Sequence, residues 1–142
     1  MPLDLSPLER AIAQLRKSLA YGRSELARRD PELALQFRAA AILAFECTYE
    51  LSWKMLKRHL ESVVANPSEV DAWSFADLIR SGNEHGLLRS DWPVWRDYRK
   101  ARGTTSHTYD DSRAREVFEI LPDFLEEASI LLERLHERVS RA

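Results

Sequence analysis

The sequence predicts an all-α protein, an antiparallel up-and-down bundle of four to five helices. Of its 142 residues, only four are glycine and six are proline, whereas Leu, Ala, Glu and Arg are abundant. These four residue types favour helices, and the β-branched residues typical of strands are sparse. Long segments also repeat apolar residues at helical spacing. With 44% hydrophobic residues the chain can bury one core, so residues 1–142 are expected to form one domain.

Two long helices are predicted in the first half. Residues 6–9 read Ser-Pro-Leu-Glu, which has the form of a capping box with proline at the first helical position, and predict a helix over residues 7–29. Asp30 and Pro31 repeat this start signal after a tight turn. The second helix should therefore pack antiparallel to the first, and it should run to about Val64, before the helix-breaking pair Asn-Pro.

The second half contains a less regular region and then two more helices. Residues 74–79 predict a short capped helix, and residues 81–86, with two glycines, predict the loop that follows. Asp91 opens another helix, whose aromatic face continues into arginines. Residues 103–109 are poor helix formers, so a connection is expected there. A last helix should cover residues 112–139, with a kink at Pro122.

Charge and composition exclude several classes of protein. A net charge of -2 argues against a general nucleic-acid-coating protein, yet residues 89–115 hold seven basic and four acidic side chains. The amino terminus lacks the features of a signal peptide and no apolar run could span a bilayer, so a cytoplasmic protein with no membrane contact is expected. The single cysteine, Cys47, is interpreted as a core residue. No ligand spacing for a metal is present, and neither a metal nor a cofactor is expected.

The residues most suited to catalysis lie close together in residues 102–109, Arg-Gly-Thr-Thr-Ser-His-Thr-Tyr. Arg102 offers a planar, permanently charged fork that suits phosphate, and His107 can exchange protons near neutral pH. Arg and His at this spacing also occur by chance in surface networks. Ser106 is a candidate for a supporting role, and Tyr109 would by itself be interpreted as a packed ring whose hydroxyl is satisfied.

A second group lies on the long second helix. Glu46, Glu50 and Lys54 follow each other at spacings of four, so they share one face, and Glu50 with Lys54 has the orientation of a surface ion pair. Glu46 lies closer to the apolar stripe, where a half-buried carboxylate needs a cation, for which Arg102 is a candidate. The four tryptophans are interpreted as core or dimer-interface rings rather than as a platform for stacking bases.

Two stretches together resemble one family. Residues 44–54, Ala-Phe-Glu-Cys-Thr-Tyr-Glu-Leu-Ser-Trp-Lys, are similar to the F-E-x-x-x-E-L-x-W-K signature of the nucleotidyltransferase substrate-binding proteins, which belong to the HEPN superfamily. Residues 102–109 resemble the R-x4-H-x-Y motif of HEPN toxins encoded beside a minimal nucleotidyltransferase antitoxin. The resemblance covers nearly the whole chain.

The resemblance implies a fold, an activity and partners. It implies a helical homodimer whose two motifs face each other across a cleft, and metal-independent cleavage of RNA to a 2′,3′-cyclic phosphate. His107 would act as general base or acid, and Arg102 would hold the scissile phosphate. Tyr109 matches the tyrosine to which the partner nucleotidyltransferase transfers AMP, which would block the site.

One departure from the family pattern leaves an alternative. The residue after the arginine is polar in many active HEPN nucleases, whereas here it is Gly103. Glycine offers no side-chain contact to RNA. The alternative is a non-catalytic subunit that presents substrate to a nucleotidyltransferase.

Overall fold

The computed structural model describes residues 3–141, and all regular structure within them is helical. The elements in chain order are α1 (Ser6–Gly22), α2 (Glu25–Arg29), α3 (Pro31–Val63), α4 (Ser68–Ala72), α5 (Phe75–Glu84), α6 (Trp92–Thr104), a 3-10 turn (Thr105–His107) and α7 (Asp111–Arg141). Among these described elements, α1, α3, α5, α6 and α7 have ten residues or more. The all-α fold and the number of main helices are therefore as predicted.

The four longest helices, α1, α3, α6 and α7, alternate in direction. Arg38, near the start of α3, lies 2.9 Å from Asp111 at the start of α7, so these two helices run the same way. Glu9 at the start of α1 lies 3.8 Å from His136 near the end of α7, so α1 runs against them. Only residues 105–110 separate the end of α6 from the start of α7, which reverses the chain once more. This up-and-down arrangement confirms the predicted topology.

The prediction of one helix over residues 7–29 is wrong, because a break at Arg23 and Ser24 separates α1 from α2. Ser24 has extended backbone angles, and its hydroxyl donates to the Tyr21 carbonyl at 2.6 Å and accepts from the Ala27 amide at 3.3 Å. The same side chain therefore closes one helix and caps the next. Asp30 caps α3 as expected.

The second half departs from prediction in three places. α4 was not predicted, and α5 continues to Glu84 through part of the expected loop. Gly82 lies inside α5, where a Cβ would come within 3.0 Å of side-chain atoms of both Leu56 and Leu88. Its role is close packing, and the turn itself falls at Gly86, whose φ is 72°. α6 also extends through Thr104 into the segment expected to be irregular. The last helix is as predicted, since α7 continues through Pro122, and the kink expected at this proline stays a prediction.

One contiguous apolar core joins the long helices. Phe124 of α7 lies at its centre, with its ring 5.0 Å from the rings of Phe45 and Tyr98 and 5.9 Å from that of Trp95. Such edge-to-face pairs add to the hydrophobic gain of burial. The prediction that Cys47 is a core residue is wrong, since it lies on the exposed side of α3. Between residues 3 and 141, no helix combines the length and apolar character needed to cross a membrane.

Candidate active site around Arg102 and His107

Arg102 lies in the last turn of α6 and is held by α3. Its Nη1 is 3.7 Å from Glu46 Oε2, and its Nε is 3.4 Å from Glu50 Oε1. Nη1 also donates a hydrogen bond of 2.9 Å to the Thr105 hydroxyl. The side chain is 32% exposed, so part of the guanidinium still faces solvent. The expected contact between Glu46 and Arg102 is therefore present, and Glu50 adds a second carboxylate.

Glu50 connects the arginine to an indole ring. Its other oxygen, Oε2, accepts a hydrogen bond of 3.2 Å from Trp53 Nε1. The surface ion pair predicted between Glu50 and Lys54 is not formed; the Lys54 ammonium lies 5.6 Å from the centre of the Trp53 ring. One guanidinium thus faces two carboxylates, which leaves the immediate surroundings of Arg102 with a net negative charge.

His107 and Tyr109 are both exposed on the segment that follows α6. Their rings lie edge to face with centres 6.0 Å apart. Tyr109 is 85% exposed, which contradicts the interpretation of this residue as a packed ring within one protomer. An imidazole and a phenol at the surface are accessible to a second macromolecule.

Hydroxyl side chains hold the turn between Arg102 and Tyr109. Thr105 donates to the Arg102 carbonyl at 2.6 Å, Ser106 to the Gly103 carbonyl at 3.0 Å, and Thr108 to the Thr105 carbonyl at 3.2 Å. These bonds give side-chain donors to carbonyls at the end of α6 and in the 3-10 turn, where the regular hydrogen-bond pattern of the helix ends. The Ser106 hydroxyl is therefore used locally, to stabilise the backbone beside the histidine.

Gly103 is exposed and lies between the arginine and this turn. A Cβ built on it would meet no atom within 4 Å. The glycine is therefore not required by packing, and its α-helical backbone is open to other residue types. A side chain at this position would project into free space.

Burial changes the ionisation of one tyrosine next to the arginine. Desolvation raises the pKa of Tyr49 to about 12, although the nearby charges of Arg99 and Arg102 oppose this rise. Tyr49 therefore stays protonated at neutral pH. It belongs to the core beneath the site.

Glu127 is a buried carboxylate that the sequence interpretation missed. Although wholly enclosed, its Oε2 accepts hydrogen bonds of 3.1 Å from the backbone amides of Arg89 and Ser90, and the Tyr98 hydroxyl lies 3.4 Å from Oε1. Burial and this negative charge raise the pKa of Tyr98. A signal was available, because Glu127 interrupts the apolar stripe of α7 three residues after Phe124. The hydrogen bonds to Glu127 hold residues 89–90, which directly precede α6, and so help to position the helix that carries Arg102.

A metal site is not evident in the described part of the chain. Within residues 3–141, no three His, Cys, Asp or Glu side chains come together in a way that could hold an ion. The functional groups that remain at the site are one guanidinium, one imidazole, one phenol and two carboxylates.

Comparison with known proteins assigns the family. A family model described as nucleotidyltransferase substrate binding protein like matches residues 3–137. The chain belongs to this family. A relative from Haemophilus influenzae named "Probable ribonuclease HepT" is 44% identical over 100 residues, which cover 70% of this chain and 68% of that protein. The resemblance to HepT-like HEPN proteins that the two sequence motifs predicted is therefore confirmed.

Solved structures agree with the family assignment. A structure from Haemophilus influenzae, described as revealing the fold of a substrate binding domain of a nucleotidyltransferase, has a TM-score of 0.86 at 36% identity. The match covers 94% of this chain and 99% of that one. A crystal structure from Thermus thermophilus has a TM-score of 0.66 at 31% identity over 90% of this chain and 98% of its own. The all-α HepT-like fold is thus shared over nearly the full length.

Proposed function

We propose that this HepT-like protein is the toxin of a toxin–antitoxin pair, a homodimeric, metal-independent endoribonuclease that uses Arg102 and His107. The observation that carries the proposal is the placement of the two side chains at one helix end. Two carboxylates orient the arginine, and the histidine is exposed on the turn that follows. A relative that is 44% identical over 100 residues is named as a probable ribonuclease, which supports this choice of chemistry.

The proposed reaction is attack of a ribose 2′-hydroxyl on the adjacent phosphate. An imidazole removes the hydroxyl proton as the new P–O bond forms, and the bond to the 5′-oxygen of the next nucleotide breaks as that oxygen takes a proton. Arg102 holds the non-bridging oxygens and stabilises the charge that develops on them. The products are a 2′,3′-cyclic phosphate and a free 5′-hydroxyl.

This reaction needs both a base and an acid, which supports a dimer. Each protomer supplies one His107, whereas a pair of protomers supplies two. On the outer side of α3, Leu43 is 63% exposed and Cys47 is exposed as well. They lie three residues before and one residue after Glu46, so this apolar surface adjoins the arginine. We assign it to the contact between the two protomers, which brings the two motifs together.

Tyr109 is the proposed point of control. Its exposure makes the phenol accessible to a partner nucleotidyltransferase, the antitoxin, which would transfer AMP from ATP to the hydroxyl oxygen and release pyrophosphate. The added phosphate would lie two residues from His107. It would block RNA by its bulk and compete for Arg102 through its charge.

The second candidate is a subunit without nuclease activity that presents substrate to a nucleotidyltransferase. Two features favour it. Gly103 offers no side chain to RNA, and the matching family is named for substrate binding. In this case Arg102 would contribute to a protein complex rather than to cleavage.

A cleavage assay with the purified protein separates the two candidates. On the nuclease proposal, His107→Ala and Arg102→Ala each lower the rate by about 100-fold or more, because each removes a group that acts in the transition state. His136→Ala is the matched control, since this histidine is half-exposed at the far end of α7. Cleavage should persist in EDTA. Equal rates for the wild type and His107→Ala would contradict the nuclease proposal and favour the substrate-presenting subunit.

Mass spectrometry tests the control step. Incubation with the partner nucleotidyltransferase and ATP should add one AMP mass to the wild type and none to Tyr109→Phe. Tyr21→Phe, which removes another exposed phenol, should be modified like the wild type. An AMP adduct on Tyr109→Phe would reject the assigned position.

A further inference from the structure

Three aromatic side chains of the protein form a half-exposed strip beside Arg102. The strip consists of Trp53, Phe75 and Trp92, which pack on the core from outside rather than within it. Of the four tryptophans that the sequence assigned to the core or to a dimer interface, Trp95 is buried in the core, whereas Trp53 and Trp92 leave part of their rings accessible. The Trp53 and Phe75 ring centres are 6.3 Å apart, and those of Phe75 and Trp92 are 6.0 Å apart, with steep angles between the ring planes. The strip crosses from α3 over α5 to α6, which are the elements that carry and surround the arginine.

A hydrogen bond links this strip to the candidate active site. Glu50 accepts from Trp53 Nε1 with one oxygen and contacts Arg102 Nε with the other. The indole is therefore separated from the guanidinium by a single carboxylate. A phosphate held by Arg102 would place its neighbouring nucleotide close to Trp53.

Two exposed cations accompany the strip. The Lys54 ammonium is 5.6 Å from the centre of the Trp53 ring, and the Arg99 guanidinium carbon is 5.1 Å from that of Phe75. Within residues 3–141 neither cation has a carboxylate within 4.0 Å. Both are therefore free to contact phosphate groups without giving up a carboxylate, whereas Arg102 already contacts Glu46 and Glu50. Arg99 also lies one helical turn before Arg102, on the same side of α6.

Aromatic rings interleaved with unpaired cations are the chemistry that binds single-stranded nucleic acid, because bases stack on the rings while phosphates contact the cations. Aromatic residues and arginine are also enriched at the centre of protein–protein interfaces, but lysine is depleted there, so Lys54 is the residue that favours a nucleic-acid strand. We propose that the strip, with Lys54 and Arg99, is a binding surface for the single RNA strand that continues from the phosphate on Arg102. A base next to that phosphate stacks on Trp53, and Arg99 contacts a neighbouring phosphate.

This inference rests on the proposed ribonuclease function, and its test does not require cleavage. The probe is a fluorescent single-stranded RNA carrying 2′-O-methyl groups throughout, which cannot undergo attack by a 2′-hydroxyl. Its dissociation constant is measured by fluorescence anisotropy over a range of salt concentrations. Binding of this probe without cleavage of ordinary RNA would reject the catalytic proposal and leave the surface intact.

The variants separate stacking from general disruption. Trp53→Leu should weaken binding by about tenfold or more, because base stacking on one ring is lost. Trp53→Phe, which keeps a ring and loses the hydrogen bond to Glu50, should retain most of the affinity. Phe118→Leu is the matched control, since Phe118 is also a half-buried aromatic residue but packs against Gly22 at the end of α1. Thermal melts monitor folding of each variant.

Salt dependence tests the role of Arg99. Arg99→Gln should reduce the slope of log K against log salt concentration by about 0.7, the value for one phosphate contact on a single strand. Arg16→Gln on α1 should leave the slope unchanged. If Trp53→Leu and Arg99→Gln fold and bind the probe with the affinity and salt dependence of the wild type, the strip is not the RNA-binding surface. The proposal is also wrong if the wild type does not bind the probe. If these variants lose binding of the nucleotidyltransferase but keep binding of RNA, the strip is a surface for that partner protein, and the proposal is again wrong.

Discussion

Replacement of Glu127 by alanine should destabilise the protein far more than the same change at its neighbour Glu126. Glu127 is fully enclosed and accepts from two backbone amides, those of Arg89 and Ser90, and from the Tyr98 hydroxyl. Its removal leaves three donors without a partner, and at about 1–3 kcal/mol each the loss would be about 3–9 kcal/mol. Because the bonds from the Arg89 and Ser90 amides are only partly buried, the free energy of unfolding should fall by the lower part of this range, about 3–6 kcal/mol. Glu126 is 67% exposed and pairs only at the surface, which limits its loss to about 1 kcal/mol or less.

Urea denaturation followed by circular dichroism measures both changes at one fixed protein concentration, because the stability of a dimer depends on concentration. Glu127→Gln keeps an acceptor for the amides and should lose less than Glu127→Ala. It also provides a measurable variant if Glu127→Ala fails to fold. Equal losses at positions 126 and 127, or a loss below about 1 kcal/mol for Glu127→Ala, would refute the assigned role of the buried carboxylate.

The remaining predictions concern the proposed dimer, the buried tyrosines and the glycine of the motif. If the 63% of Leu43 that is exposed in one protomer becomes buried in the dimer, two copies contribute about 2–4 kcal/mol, so Leu43→Ala should raise the dimer dissociation constant about 30- to 600-fold in sedimentation equilibrium. Leu26→Ala, also at an exposed leucine, should leave it unchanged, and equal effects would remove Leu43 from the interface. In a spectrophotometric titration Tyr49 should ionise near pH 12 and Tyr98 should also titrate abnormally late, because burial favours their neutral forms. Because the pKa of Tyr49 is higher in the folded than in the unfolded chain, its contribution to the free energy of unfolding is complete below about pH 10 and is lost as the pH rises through about 12. Tyr49→Phe should therefore lose less stability than the wild type between these pH values, and an equally steep loss would contradict the assignment. Gly103→Ala should raise the free energy of unfolding by about 0.5–1 kcal/mol, since the position is helical and unobstructed, and a loss would show that the glycine is needed.

The fold was predictable because apolar spacing and capping residues act locally. Asp30 and Asp91 cap helices where the sequence indicated, and Pro7 lies in the first turn of α1. The capping box expected at Ser6 is not formed, because α1 already begins at Ser6, with Leu5 at the cap position and no side-chain cap. The break at Ser24 was missed because the apolar pattern alone does not show whether a serine caps a new helix or lies within one. The helical position of Gly82 was missed for a related reason. Two glycines four residues apart normally indicate a loop, and only contacts with distant leucines show that one of them serves packing.

The candidate site was predictable in its residue types but not in its connections. Arg102 and His107 follow from a sequence motif, and the contact of Arg102 with Glu46 follows from the need of a half-buried carboxylate for a cation. The second carboxylate, Glu50, was assigned instead to Lys54, because spacing along a helix favours a local pair and gives no information on α6. Helix spacing also could not show that Cys47 faces outward, since its exposure depends on which side of α3 is covered by other helices.

The pairing of Arg102 with two carboxylates gives the protein a built-in counter-ion. A small free anion that reaches the solvent-facing part of the guanidinium meets the negative charge of Glu46 and Glu50, and it has no other contacts to offset that repulsion. Sulfate or inorganic phosphate should therefore be a poor competitor at this arginine. A polymer that is already anchored at neighbouring groups presents its phosphate at high effective concentration, so the same carboxylates let the site distinguish a long strand from the small phosphates dissolved around it.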